Sequence, residues 1–179
     1  MPKSLKLKLE KIRNQKYKSK DFIIADAKDG DLAMGITTPG PLRDNQGKII
    51  QGFKKLKDYK KAMEVMTKSN LVDIMLMSAS VGEYLVEKKI FKSSPVTPAI
   101  RMNDTSDIWL MRNSNYRSTN PRPFRSARID RVSKLVNLGL FSVTFSKNVD
   151  FDLAMLNSYR NFRMESLKYK FSHFLEVFN

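Results

Sequence analysis

The chain contains no cysteine and a single histidine, His173. The first absence excludes disulfides, thiolate metal sites and a cysteine nucleophile, and it fits a reducing compartment. The second excludes multi-histidine metal clusters and any charge relay through a second imidazole. No apolar run approaches the roughly eighteen residues that a membrane-spanning helix requires. The first twenty residues also lack the apolar core of a signal peptide. A soluble, cytoplasmic protein with no membrane partner is expected. Glycine is sparse, at 7 of 179 residues, and Gly30, Gly35 and Gly40 match neither a Walker loop nor a dinucleotide fingerprint. No metal and no cofactor is expected.

What is present is apolar volume and positive charge. Ten methionines and eleven phenylalanines within a 41% hydrophobic chain supply a real core, which excludes a disordered protein. The formal net charge is +15, and most of it sits in two segments. Residues 1–20 carry seven lysines and Arg13 against Glu10; residues 110–131 carry six arginines against Asp130. Such a balance fits nucleic acid, an acidic surface or a phosphorylated ligand. Single-strand binders interleave aromatic rings with their cations, and Tyr17 stands alone in the first segment, so nucleic acid is not expected as the partner. Residues 1–20 read as a basic amino-terminal extension and residues 21–179 as one domain.

The pattern along that domain is strand, helix, strand, helix. Phe22, Ile23, Ile24 and Ala25 read as a buried strand, followed by Asp26, Lys28, Asp29 and Asp31 in a glycine-containing loop. A turn-rich connection leads to a helix whose stripe is Tyr59, Ala62, Met63 and Met66, with Asp58 as N-cap. Ile74 to Met77 is a second buried strand. Ser80 and Glu83 have capping-box spacing for a helix reaching about Phe91. Thr97 to Met102 is a third strand, and Ile129, Val132, Leu135 and Val136 form a stripe closed by Gly139. Leu140 to Phe145 is a fourth strand. Asp150 can cap a long helix to about Lys170, and His173 to Asn179 is a fifth strand. Alternation of this kind predicts an α/β fold with a parallel sheet. Four and a half (β/α) units fall short of the roughly 250 residues of a complete eight-unit TIM barrel, so either an unusual open sheet or a truncated barrel is expected, the truncated barrel being the favoured reading.

The stretch FIIADAKDGDLAMG, from Phe22 to Gly35, resembles the first strand of the class I aldolase superfamily of TIM barrels. That group holds archaeal-type fructose-bisphosphate, deoxyribose-phosphate and tagatose-bisphosphate aldolases. In the archaeal type the strand closes on Asp-His-Gly; Asp26 matches the aspartate, while Ala27 and Lys28 stand in the other two places. The resemblance implies an aldolase-like lyase acting on a sugar-phosphate-like substrate through a lysine Schiff base. In that family the lysine lies on the sixth strand, which here would fall beyond Asn179.

Candidate site residues follow from the loops after the strands, where α/β sheets bind ligands. Asp26 is the leading catalytic candidate as a base or hydroxyl-binding carboxylate; the plainer reading is a loop carboxylate satisfied by nearby N–H groups. Lys28 and Lys147 each follow a strand, and their amines suit phosphate binding or nucleophilic attack; a solvated surface charge is the plainer reading. Glu176 is the one charge in the fifth strand's apolar run and suits general-acid use, unless one side of that strand is simply wet. Arg101, Asn103, Asp104 and Asn179 are candidates for binding a small phosphorylated or hydroxylated substrate; Arg101 and Asp104 could equally pair with each other. Arg117, Arg122, Arg125 and Arg128 could grip phosphate or form a solvent-facing loop. His173, at the amino end of its strand, the stability face of a barrel, is assigned no catalytic role. The alternative function is a basic anion- or nucleic-acid-binding module without catalysis. The free sheet edges of a half-built barrel point to a homo-oligomer.

Overall fold

The computed structural model describes residues 2–103 and 121–178. Its elements are α1 (Ser4–Arg13), β1 (Ala25–Lys28), α2 (Asp31–Met34), β2 (Pro41–Arg43), β3 (Ile49–Phe53), α3 (Leu56–Ser69) and β4 (Ile74–Met77). There follow α4 (Ala79–Glu87), β5 (Thr97–Arg101), α5 (Ile129–Val132), β6 (Leu138–Thr144), α6 (Val149–Lys168) and β7 (Ser172–Phe178). Strands β1, β4, β5, β6 and β7 form one sheet in that order, parallel throughout, which curls as a half-barrel. The turn-rich connection after β1 contains a small antiparallel hairpin, β2–β3.

Register explains how the two faces differ. Side chains at paired positions of a parallel sheet point the same way and alternate along each strand. Met75, Met77, Ile100, Phe141 and Val143 therefore share one face. They pack with Tyr59 and Met63 of α3, Val81 and Leu85 of α4, Ile129 and Val132 of α5, and Met155 and Phe162 of α6. The opposite, inner face carries a smaller core of Ile74, Leu76, Ala99 and Leu140, against which Leu5 of α1, Leu138 and Phe174 rest. Strand β4 is buried on both faces, which is why its sequence is an unbroken apolar run.

The basic opening segment is tied to this inner face. Lys3 Nζ donates to the carbonyls of Phe91, Ser94 and Val96 at 2.7, 2.9 and 2.9 Å, and Ser4 N donates to Pro95 O at 2.9 Å. Lys8 pairs with the buried Asp73 at 2.7 Å, and Lys11 with Asp21 at 2.6 Å. Burial lowers the Lys3 pKa below its ordinary value, yet three carbonyls satisfy all three ammonium protons.

Several boundaries differ from the sequence reading. The first strand runs from Ala25 to Lys28, so Phe22, Ile23 and Ile24 precede it and are exposed rather than buried. The reason is position: β1 is a sheet edge, and only Ile24 reaches β4, its carbonyl accepting from Asp73 N and Ile74 N. Helix α3 is capped at Lys55, with Asp58 in the third helical position accepting from Lys55 N at 2.9 Å. Helix α4 begins after Ser78, whose hydroxyl accepts from Val81 N at 3.4 Å, so Ser80 lies inside the first turn. Asn148, not Asp150, caps α6. Gly139 lies within β6, where no side chain would fit: a Cβ there would stand 2.7 Å from both Met102 Cγ and Phe171 Cε1.

Candidate functional site

Alternation carries the inner face upward from its apolar floor to a polar rim at the strands' carboxyl ends. Ala99 leads to Arg101 on β5, Leu140 to Ser142 on β6, and Phe174 to Glu176 on β7, while Asp29 follows the last residue of β1. These four side chains meet. The buried Arg101 guanidinium donates from Nε to Asp29 Oδ2 and from Nη1 to Ser142 Oγ at 2.7 Å, and its Nη2 stands 3.5 Å from Glu176 Oε2. Ser142 Oγ in turn donates to Glu176 Oε2 at 2.8 Å.

Physical chemistry assigns roles within this cluster. A buried guanidinium requires anionic partners and satisfied protons, and Asp29 and Glu176 supply the charge. With two carboxylates around one cation, the rim is net acidic. It suits hydroxyl groups and developing positive charge better than a phosphate. Asp29 is buried, whereas the Glu176 side chain is 37% exposed with one oxygen anchored. The remaining Glu176 oxygen can therefore accept a proton or a hydroxyl hydrogen bond from a ligand lying on the inner face.

Asn103 stands just past β5 and is fully buried. Its Nδ2 donates to Ser142 O at 2.8 Å, and its Oδ1 accepts from Ser142 N at 2.7 Å. The side-chain amide thus acts as one more peptide group of β5, extending the ladder on β6 beyond the Arg101–Leu140 pair. Asn103 shapes the rim through the backbone that carries Ser142, and its amide is not presented to a substrate.

Asp26 and Lys28 lie elsewhere. The three-residue shift of β1 places them inside the strand at the register of Met75 and Met77, on the helix-covered face. They pair with each other at 2.9 Å, and Asp26 Oδ2 is buried without a partner. The shift brings Asp29 to the rim instead. Lys147 is exposed on the loop after β6, with φ +61°. Asp104, Asn179 and Arg117 fall outside the described residues, and Arg101 pairs with Asp29 and Glu176. Arg125 bonds Glu165 at 3.1 Å and Arg128 bonds Asp130 at 2.7 Å, so both have protein carboxylates as partners. His173 is within β7 on the helix side, where Tyr159 Oη lies 3.1 Å from its Nε2.

Sequence reasoning missed Asp29, Ser142 and Asp31. The first two were legible only through strand register, since alternation from Leu140 and Phe174 places Ser142 and Glu176 side by side. Asp31 opens α2 and accepts from Ser78 Oγ at 2.6 Å, while its Oδ1 is buried without a partner. Burial, then the nearby Asp29, raises the Asp31 pKa against the pull of Ser78. The same two carboxylates, after burial itself, raise the Tyr59 hydroxyl beyond its ordinary range. Asp31 also lines a cleft of about 620 Å³ with Phe53, Lys54, Lys55 and Leu56.

No family model matches the chain, and neither a curated protein nor a solved structure matches it. Among the described residues no helix is long and apolar enough to cross a membrane, and no group of histidine, aspartate or glutamate side chains is arranged to hold a metal ion.

Proposed function

We propose that the half-barrel belongs to a barrel-type enzyme and that its inner rim binds a small hydroxylated substrate for aldolase-like carbon–carbon cleavage. The observation that supports this reading is the convergence of Asp29, Arg101, Ser142 and Glu176 from four strands onto the carboxyl-end rim of a parallel sheet, where such folds carry their chemistry. Glu176 is the acid–base group, and its free oxygen moves a proton to or from a substrate hydroxyl. Arg101 and Ser142 hold that carboxylate in place, and Asp29 holds Arg101. A phosphate on the substrate is better received by Lys54 and Lys55 at the cleft beside Asp31 than by Arg101, whose charge is already matched.

The Schiff-base step comes from the amino-terminal resemblance: a lysine amine condenses with a substrate carbonyl, water leaves, and the protonated imine accepts the electron pair of the broken bond. Among the described residues no lysine ion-pairs with Asp29 or Glu176. The test therefore looks for the imine itself. Protein purified from its source is incubated with a panel of ketose and aldose phosphates, reduced with borohydride and mapped by peptide mass. A lysine adduct, with cleavage lost in Glu176→Gln, is expected; neither adduct nor cleavage across the panel overturns the lyase reading. Anchoring of Lys3, Lys8 and Lys11 within the protein weighs against the alternative of a basic binding module. A steep salt dependence of polynucleotide binding would restore that module.

A further inference from the structure

We propose that the space beside α1, at the amino ends of the strands, binds a free long-chain carboxylate, with its alkyl chain along the sheet floor and its head group on Arg13. The site lies at the opposite end of the sheet from the polar rim and does not depend on the reaction assigned there.

Two clefts flank α1. One, of about 550 Å³, is walled by Leu5, Leu9, Pro98, Leu135 and Leu138; the other, of about 620 Å³, adds Ile23, Ile74, Phe171 and Phe174 to Leu5, Leu9 and Leu138. Each falls in the size range of small-molecule sites, and most of the surface lining each is apolar. The helix between them is pinned rather than loosely laid on the sheet. Lys3 and Ser4 hold its start to the turn before β5, and Lys8 holds its middle to Asp73. The clefts are therefore preformed walls, which lowers the ordering cost of binding.

Charge selects the occupant. Arg13 lines both clefts and has no hydrogen-bonded or ion-paired partner among the described residues, whereas Lys3, Lys8 and Lys11 are all engaged. Glu10 also lines the first cleft, but Lys6 faces it at 4.0 Å. A guanidinium without a protein anion beside an apolar trough matches an amphiphile with a carboxylate head, which the planar fork can receive bidentately. It does not match a neutral or cationic amphiphile.

The experiment is calorimetric titration of the full chain with octanoate, decanoate and dodecanoate below their micelle-forming concentrations. Dodecyltrimethylammonium serves as the charge-reversed probe and anionic phospholipid vesicles as a membrane surface. One dodecanoate per chain is expected, with affinity rising about two- to fourfold per added methylene. Arg13→Ala should weaken dodecanoate binding at least tenfold while leaving the circular dichroism spectrum unchanged, because Arg13 is exposed. Equal binding of the ammonium probe, affinity independent of chain length, an unaffected Arg13→Ala variant, or binding to vesicles without binding of free dodecanoate would each overturn the proposal. The chain-length series uses the unaltered protein and decides the question even if a variant misfolds.

Discussion

At the scale of single residues, Arg101 is the side chain on which the rim depends. Its removal leaves Asp29 buried and Glu176 beside it with no cation between them. Arg101→Leu is therefore expected to destabilise the fold by about 3–5 kcal/mol, the range for breaking a buried ion pair from one side. Urea denaturation measures this, and Glu176→Gln, at a half-exposed position, should shift the midpoint far less. His173 offers a second test. Burial, followed by the charge of Arg163, lowers its pKa from the ordinary value of 6.5. The folded state thus favours the neutral ring, whose Nε2 lies 3.1 Å from Tyr159 Oη and which meets Phe162 edge-on with ring centroids 5.0 Å apart. A group whose folded pKa is depressed in this way takes up its proton more readily when unfolded. Its contribution is complete above about pH 6.5 and declines as the pH falls below that value. Thermal midpoints from pH 8 to pH 5 should fall more steeply in the parent protein than in His173→Phe. Parallel curves would remove His173 from the account.

At the scale of elements, packing of β6 admits a direct test. Gly139→Ala pushes a methyl group against Met102 and Phe171 inside the sheet, and overpacking of this kind costs about 1–3 kcal/mol. Equilibrium unfolding should show that loss; a neutral result would mean that Met102 and Phe171 give way. The same glycine shows where sequence reasoning stopped. Gly139 reads as a helix stop after Val136, because glycine's freedom at helix ends is a local signal, whereas the close approach of Phe171 is a tertiary one. The strands β4 to β7 were legible because each is an apolar or alternating run, and β4 was placed to the residue. Strand β1 was not, because an edge strand need not be apolar, and its most hydrophobic residues lie outside it. That shift of three positions took Asp26 and Lys28 away from the rim and brought Asp29 to it. Glu176 was legible as a lone charge in an apolar strand. Ser142, a small polar residue in an alternating strand, carried no signal until β6 and β7 were set in register.

At the scale of the whole molecule, α6 has apolar residues on two sides. Met155 and Phe162 face the core, while Val149, Leu153, Leu156, Met164 and Leu167 are exposed at helical spacing. Strand β7 beside it is seven residues long, ends the sheet, and exposes Leu175 and Val177. An unpaired edge next to an apolar helix stripe is a surface on which another chain can pair. Sedimentation velocity across the micromolar range should show concentration-dependent association of this chain, and Val177→Lys combined with Leu167→Lys should abolish it. A parent chain that stays monomeric throughout would exclude this surface as a self-association site.

The tether at Lys3 also sets a timetable. Its three carbonyl partners lie 88 to 93 residues further along the chain. On a ribosome adding about 5–20 residues per second, α1 waits between about 5 and about 18 s for its docking site to be made. Helix α1 is therefore secured only after the segment 91–96 that follows it, and pulse-labelled hydrogen exchange during refolding should find α1 protected after β4 and β5. Until then its leucines travel in water with a run of lysines around them. Their charge keeps nascent copies apart during the interval before the sheet exists to receive them.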